Sequence, residues 1–367
     1  MDLNIAQQKN IAVVGASGVV GRALLEQLNA SGLTATGFSR RRPADLPDAR
    51  FEPLDLLDAT ACQTAAKGAL ANTTHLVYAA LFEKPGLIAG WRQQDQMQTN
   101  LQMLRNLLEP LQINNKLTHV TLLQGTKAYG AHIAPMKIPG IENEPRVQHD
   151  NFYWLQQDYL EQVCQRRQWN YTIWRPQIIF GHALHAPMNM LAAIGVYAAL
   201  QRSRGLPLHY PGGPSAITEA VDARLLAKAI EFSLDRPGFA NETFNITNGD
   251  VFRWQDIWPA ITRALGMEPG APEPVVLSKH LYQEEALWQR ITETHGLQPY
   301  SIRELVGDSF FYADALFNSS GSQAPPPALL STIKLRQAGF HDCIDSGAMF
   351  KDWFAKLADL KVLPPTA

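Results

Sequence analysis

The stretch Asn10-Ile-Ala-Val-Val-Gly15-Ala-Ser-Gly18-Val-Val-Gly21-Arg-Ala-Leu-Leu-Glu26 decides the fold. Ile11 to Val14 form a short apolar run, as a strand buried on both faces requires. Gly15, Gly18 and Gly21 follow at a spacing of three. A helical pattern of Val19, Val20, Ala23, Leu24 and Leu28 begins inside the glycine run. Strand, glycine turn and helix in this order suit a dinucleotide phosphate. Gly15 permits the tight turn and Gly18 lets the backbone approach the pyrophosphate. Gly21 lets the helix pack close, with its first N–H groups aimed at the anion. Ser17 and Val19, inside the same turn, are cofactor-contact candidates with the glycines.

Working outward, strands alternate with helices. Leu33 to Phe38 reads as a second strand and Arg50 to Leu54 as a third, followed by a helix through Leu70. Thr74 to Ala80 is a fourth strand, and a helix from about Leu87 to Leu108 carries Asn100. Lys116 to Leu123 is a fifth strand. A Pro-, Gly- and Ile-rich loop runs from about Gly130 to Arg146. Asn151 to Arg167 is helical, and Tyr171 to Arg175 is the sixth strand. This alternation predicts an α/β, Rossmann-type doubly wound parallel sheet, with its ligand at the carboxyl ends of the strands. Beyond Pro176 the pattern changes, through an apolar helical run at Met188 to Leu200 and tryptophan-rich segments around Trp254 and Trp258. The helix Ala220 to Leu234 and the strand Glu242 to Ile246 are expected to return to the main sheet. The expected division is a dinucleotide-binding part at 1–176 with about 215–250, and a smaller, discontinuous substrate-side part at about 177–214 and 251–367.

Composition excludes several classes. The 367 residues carry a net charge of −2, with 46% hydrophobic and 18% charged residues. That balance offers no broad attraction to nucleic acid or to an anionic membrane. The longest apolar run is too short to span a bilayer and contains Asn189 and Gly195. The first ten residues do not fit a secretory leader. Cys62, Cys164 and Cys343 stand apart, so a disulfide framework is not expected and a cytoplasmic location is. No metal is expected, since His182 and His185 have no further ligands at a suitable spacing. The stretch from Asn318 to Pro327 reads as an exposed loop.

The cofactor preference rests on the end of the second strand. An Asp or Glu there would hold both ribose hydroxyls of NAD. This chain has Ser39-Arg40-Arg41-Arg42 instead. Guanidinium groups grip a 2′-phosphate that a carboxylate would repel, so NADPH/NADP+ is expected, through Ser39, Arg40 and Arg41. Asp55, with Leu56, lies where the adenine edge would come; a helix N-cap is the alternative for Asp55. Ala79 and Ala80, at the end of the fourth strand, complete the expected floor.

The glycine spacing G-x-x-G-x-x-G resembles that of extended short-chain dehydrogenase/reductases. Most such enzymes carry Tyr-x-x-x-Lys on one helix. Here Tyr153 is followed by Gln157 and Tyr159 by Val163. The surrounding motifs explain the gap. They are Gln124-Gly-Thr-Lys127-Ala-Tyr129, Asn151-Phe-Tyr153-Trp-Leu-Gln-Gln157-Asp158, Trp174-Arg-Pro176-Gln-Ile-Ile-Phe-Gly181, Met188-Asn189 and Phe244-Asn-Ile-Thr-Asn248-Gly-Asp-Val-Phe252. Together they resemble the progesterone 5β-reductase/iridoid synthase-like enone reductases, from Gly15 to about Trp258 and more weakly at Lys334 to Phe340 and Trp353. The chain departs from that pattern at Ala128, where the family has His, and at Trp154, where it has a second Tyr. It also departs at Gln157, and at Leu81-Phe82 after the fourth strand, where an aromatic wall is expected.

The resemblance implies an NADPH-dependent oxidoreductase that reduces α,β-unsaturated carbonyls by 1,4-hydride addition. Tyr153 and Lys127 are then the catalytic residues. Gln124, Pro176, Ile178 and Ile179 lie along the cofactor, and Phe82, Phe152, Met188, Asn189 and Tyr197 are substrate-pocket candidates. The expected partner is a small conjugated carbonyl compound, with no nucleic acid or membrane, and the protein a monomer or homodimer. Three other readings stay open at this stage: a 1,2-carbonyl reductase, a nucleotide-sugar epimerase or dehydratase, and a non-catalytic NADP-sensing regulator.

Overall fold

The computed structural model describes residues 9–43, 45–113 and 115–366. The leader reading concerns residues 1–8 and so lies outside the described residues. The first half supplies β1 (Asn10–Val14), α1 (Val19–Ala30), β2 (Thr34–Ser39), β3 (Phe51–Pro53), α2 (Ala59–Lys67), β4 (His75–Tyr78), α3 (Gln94–Leu111), β5 (His119–Leu123), α4 (Phe152–Arg167) and β6 (Asn170–Pro176). There follow β7 (Ile178–Phe180), α5 (Met190–Ser203), β8 (Ala220–Asp222), α6 (Ala223–Ser233), β9 (Glu242–Ile246) and α7 (Trp254–Ala264).

Seven strands form one sheet in the order β3-β2-β1-β4-β5-β6-β9. Every neighbouring pair is parallel, beginning with Ile11 opposite Ala35 on one side and His75 on the other. The two-residue period of a strand divides β1 between two cores. Ala12 and Val14 pack with Cys62, Leu104, Leu107 and Leu160 from α2, α3 and α4. Ile11 and Val13 pack with Leu24, Leu28, Leu226 and Ile230 from α1 and α6. Both faces are therefore covered, as continuous apolar strands require. A third core gathers α5 and α7 with the later helices Glu285–His295, Ser309–Leu316 and Ser346–Asp359, around Trp254, Trp258, Trp288, Phe310 and Trp353.

Chain order reverses between β1 and β4, and the cleft opens at their carboxyl ends. Gly15 adopts φ +90°, and a Cβ there would come within 2.6 Å of the Ala79–Ala80 backbone. A Cβ on Gly21 would collide with the Gly15 carbonyl. These two positions explain the first and third glycines of the motif.

Two elements differ from the sequence reading. Ala220–Asp222 is a strand paired with Ile178–Phe180, not the first turn of a helix. Asp222 accepts from the Arg224 N–H at 2.8 Å, so α6 starts after it; the aspartate was the start signal. The helix read from Leu87 instead opens as a 3₁₀ turn, Leu87–Arg92. An extended Gln93 then breaks the chain before α3.

Candidate active site

One cleft of about 580 Å³ runs along the carboxyl ends of the strands. All fifteen residues expected at the cofactor line it: Gly15, Ser17, Gly18, Val19, Ser39, Arg40, Arg41, Asp55, Leu56, Ala79, Ala80, Gln124, Pro176, Ile178 and Ile179. Lys127 and Tyr153 line it too, with Phe82, Phe152 and Met188.

The adenosine end suits an anion. α1 starts at Gly18 with no side-chain cap, which leaves its first N–H groups free for a ligand. Arg40 and Arg41 are exposed and make no side-chain hydrogen bond or ion pair among the described residues. Arg42 turns away, donating to the Pro47 and Ala49 carbonyls at 3.0 and 2.6 Å. The loop is anchored from behind by Arg22, buried in α1, whose Nε donates to Asp45 at 2.8 Å. Asp55 accepts from the Leu57 N–H at 3.0 Å, while Asp58 caps α2. The N-cap alternative for Asp55 thus falls to Asp58, and Asp55 stays on the cleft. These features fit a phosphorylated dinucleotide.

At the other end, α4 presents Tyr153. Asn151 caps that helix, accepting from the Tyr153 N–H at 3.0 Å through its side-chain oxygen. Its amide nitrogen donates to the Lys127 carbonyl at 3.0 Å. One side chain therefore holds both candidate catalytic segments. A methyl built on Gly125 would sit 3.3 Å from the Tyr153 hydroxyl and 3.5 Å from the Pro176 carbonyl. The phenol thus lies over the ends of β5 and β6. Burial, with the nearby Glu83 and Tyr312, pushes the Tyr153 phenol well above its ordinary value. It is a protonated donor across the neutral range.

Gln157, one helical turn after Tyr153, does not face the cleft. It accepts from Gln124 at 3.0 Å and donates to Glu161 at 2.7 Å. Arg175 donates to Gln124 at 2.9 Å and to Tyr129 at 3.3 Å, and Tyr129 donates to Asn245 at 2.7 Å. Tyr129 is committed there and is not an alternative donor to the cleft. Asn100 bolts the start of the segment after β4 to α3, with 2.9 Å bonds to both backbone groups of Phe82.

Two expectations for the pocket do not hold. Asn189 caps α5 and donates to the Ala183 carbonyl at 3.2 Å; it is buried behind the cleft. Tyr197 packs in the third core and donates to the His209 carbonyl at 3.2 Å. Both lie in an apolar helix whose stripe is core. Several lining residues gave no signal in the sequence. Trp91, Gln156, Trp254 and Tyr312 are among them. Pro325 and Pro326, from the stretch read as an exposed loop, reach the cleft because Gln177 donates to the Ala328 carbonyl and Glu219 accepts from Leu330 at 2.8 Å.

The pattern of the NAD dependent epimerase/dehydratase family matches residues 11–247. The chain belongs to that family. It is an oxidoreductase of the extended short-chain dehydrogenase/reductase type, and it resembles the progesterone 5β-reductase/iridoid synthase-like members over nearly its whole length. It is 29% identical to the (S)-8-oxocitronellyl enol synthase of Antirrhinum majus, covering 96% of this chain and 92% of that protein. It is 28% identical to the 3-oxo-Delta(4,5)-steroid 5-beta-reductase of Arabidopsis thaliana, with the same coverage. In fold it is similar to a UDP-glucose 4-epimerase from Thermotoga maritima, with a TM-score of 0.66, 16% identity, and 95% and 99% of the two chains covered. Among the described residues no helix is long and apolar enough to cross a membrane, and no cluster of His, Cys, Asp or Glu could hold a metal ion.

Asn151→Asp keeps the cap acceptor and loses the donor to Lys127. Its unfolding free energy should fall by about 1 kcal/mol or more, because a buried carboxylate then faces the Lys127 carbonyl, and Asn151→Ala, which loses both bonds, should fall by about 1–2 kcal/mol. Turnover should fall in both variants. Urea unfolding beside steady-state kinetics checks both; wild-type turnover in Asn151→Asp would remove the bridging role.

Proposed function

We propose that this chain is an NADPH-dependent reductase of α,β-unsaturated carbonyl compounds. The observation that carries the proposal is one cleft with Arg40 and Arg41, which make no side-chain hydrogen bond or ion pair among the described residues, at one end and a protonated phenol and an ammonium at the other. When bound, NADPH would supply a hydride for the β-carbon of an enone or enal. As that bond forms, negative charge moves onto the carbonyl oxygen. Tyr153 donates a hydrogen bond to that oxygen, where the charge appears. Lys127 would contribute positive charge at this end of the cleft and a donor to the cofactor ribose. Solvent protonates the α-carbon.

The apolar wall of Phe82, Trp91, Phe152, Met188 and Trp254 suits a hydrocarbon skeleton rather than a sugar nucleotide. Gln157 in place of a lysine also argues against epimerase chemistry. The reading assigns 1–176 and about 215–250 to the cofactor, and about 177–214 and 251–367 to the substrate side. It further takes the protein to act in the cytoplasm, as a monomer or homodimer, on a small molecule.

Two variants test the roles. Removing both guanidinium groups in Arg40→Ala/Arg41→Ala should collapse the NADPH/NADH ratio of kcat/KM, each lost charge-assisted bond being about 1.5–3 kcal/mol. An unchanged ratio would reject the phosphate assignment. Tyr153→Phe should lower turnover of a cyclic enone by roughly 10²–10³-fold with cofactor affinity little changed. Near-wild-type turnover would remove the phenol from the mechanism.

A further inference from the structure

The cleft's ammonium has neighbours that the mechanism above does not use. Lys127 Nζ lies 3.8 Å from the centre of the Trp91 ring and 3.6 Å from Glu83 Oε1. No hydrogen bond joins it to Tyr153 among the described residues. The Glu83 side chain is only 2% exposed and that of Lys127 14%. Glu83 Oε2 accepts from the Gln96 side-chain amide at 2.5 Å. Gln96 is itself oriented, because its oxygen accepts the Lys84 N–H at 3.0 Å. The carboxylate is thereby turned so that Oε1, which accepts no hydrogen bond of ordinary length among the described residues, faces the ammonium.

An arrangement of this kind is poor value for stability alone. A buried ion pair seldom repays its desolvation, least of all at a separation of 3.6 Å, longer than an ordinary hydrogen bond. Its use lies in what it does to Lys127. We propose that Glu83 is a positioning residue for the reduction, seating the Lys127 ammonium against the Trp91 ring at the edge of the cleft. This rests on the reading of Lys127 as the cation of the reductase site.

The consequence is a pH limit. Burial pulls the Lys127 amine down to about 8, and Glu83 works against that fall. Burial pushes the Glu83 carboxyl up, opposed by Lys127 and Gln96. The other titratable groups around the pair come from four elements. His132, on the loop before α4, is held at about 4 by burial and by Lys127, His149 and Arg92. Tyr153 on α4 and Tyr312 on the helix Ser309–Leu316 are both pushed up by burial and by Glu83, and Arg175 on β6 partly offsets this at Tyr153. His132 is therefore neutral and both phenols protonated where Lys127 titrates. Losing the Lys127 proton removes the positive charge, so activity falls as pH rises through that point. Without Glu83 the point moves to lower pH.

The test reads the amine directly as well as through activity. In protein labelled with ¹³C-lysine, one side-chain resonance, identified by its loss in Lys127→Arg, should titrate near about 8, clear of the other lysines. In Glu83→Gln that midpoint and the alkaline limb of kcat/KM should move down together by about one pH unit or more. Glu83→Asp should recover part of the shift. A midpoint and limb left in place by Glu83→Gln would overturn the proposal. Should Glu83→Gln fail to fold, Glu83→Asp decides: a midpoint and an alkaline limb equal to those of wild type overturn it. Full turnover in Lys127→Met would instead overturn the catalytic reading, while the resonance still reports whether Glu83 holds the amine.

Discussion

The Asn151 side chain is bonded at once to the two segments that bring chemistry to the cleft. Its oxygen caps α4 and fixes the first turn, from which Tyr153 projects. Its nitrogen holds the Lys127 carbonyl. Without a lysine one turn along the helix, phenol and cation must come from different elements, and something must set their relation. A single amide with one acceptor and two donors can do this, because its two ends are rigidly opposed. The parallel sheet makes the bridge possible. β5 and β6 are neighbours in register from His119 opposite Asn170 to Leu123 opposite Trp174. What leaves the end of one therefore meets the helix that leads into the other.

Electrostatics then divides the cleft. The open end is polar and cationic, with helix N–H groups and two guanidinium groups. At the closed end burial dominates, holding Tyr153 and Tyr312 protonated and pulling Lys127 down. A hydrogen-bond donor that stays protonated in the neutral range is suited to stabilising charge as it appears on a substrate oxygen. The same low-dielectric setting makes the lysine sensitive to its neighbours.

Much of this was legible in the sequence where a residue's role is local. The glycine run, the apolar strands and the arginines after β2 each carry their meaning within a few residues, and every residue they nominated for the cofactor lines the cleft. Asn151 was legible as part of a motif, though not as a bridge. What failed to show depends on distant parts of the chain. Glu83 sits in Leu81-Phe-Glu-Lys-Pro-Gly86, which looks like a solvated turn; Asn100 and Gln96 on α3 fold it inward. Tyr312, Pro325 and Pro326 reach the cleft through packing that no short window records. Asn189 and Tyr197 misled in the opposite sense, since a helix apolar all round gives no hint of which side meets a cavity.

The reduction proposed for this cleft delivers hydride to the β-carbon of a conjugated carbonyl. The most direct measurement supplies the protein with a cyclic enone and NADPH deuterated at the transferring C4 position, and locates the label in the product by NMR. Deuterium is expected on the β-carbon of a saturated ketone. Deuterium on a carbinol carbon, with the alkene intact, would contradict it.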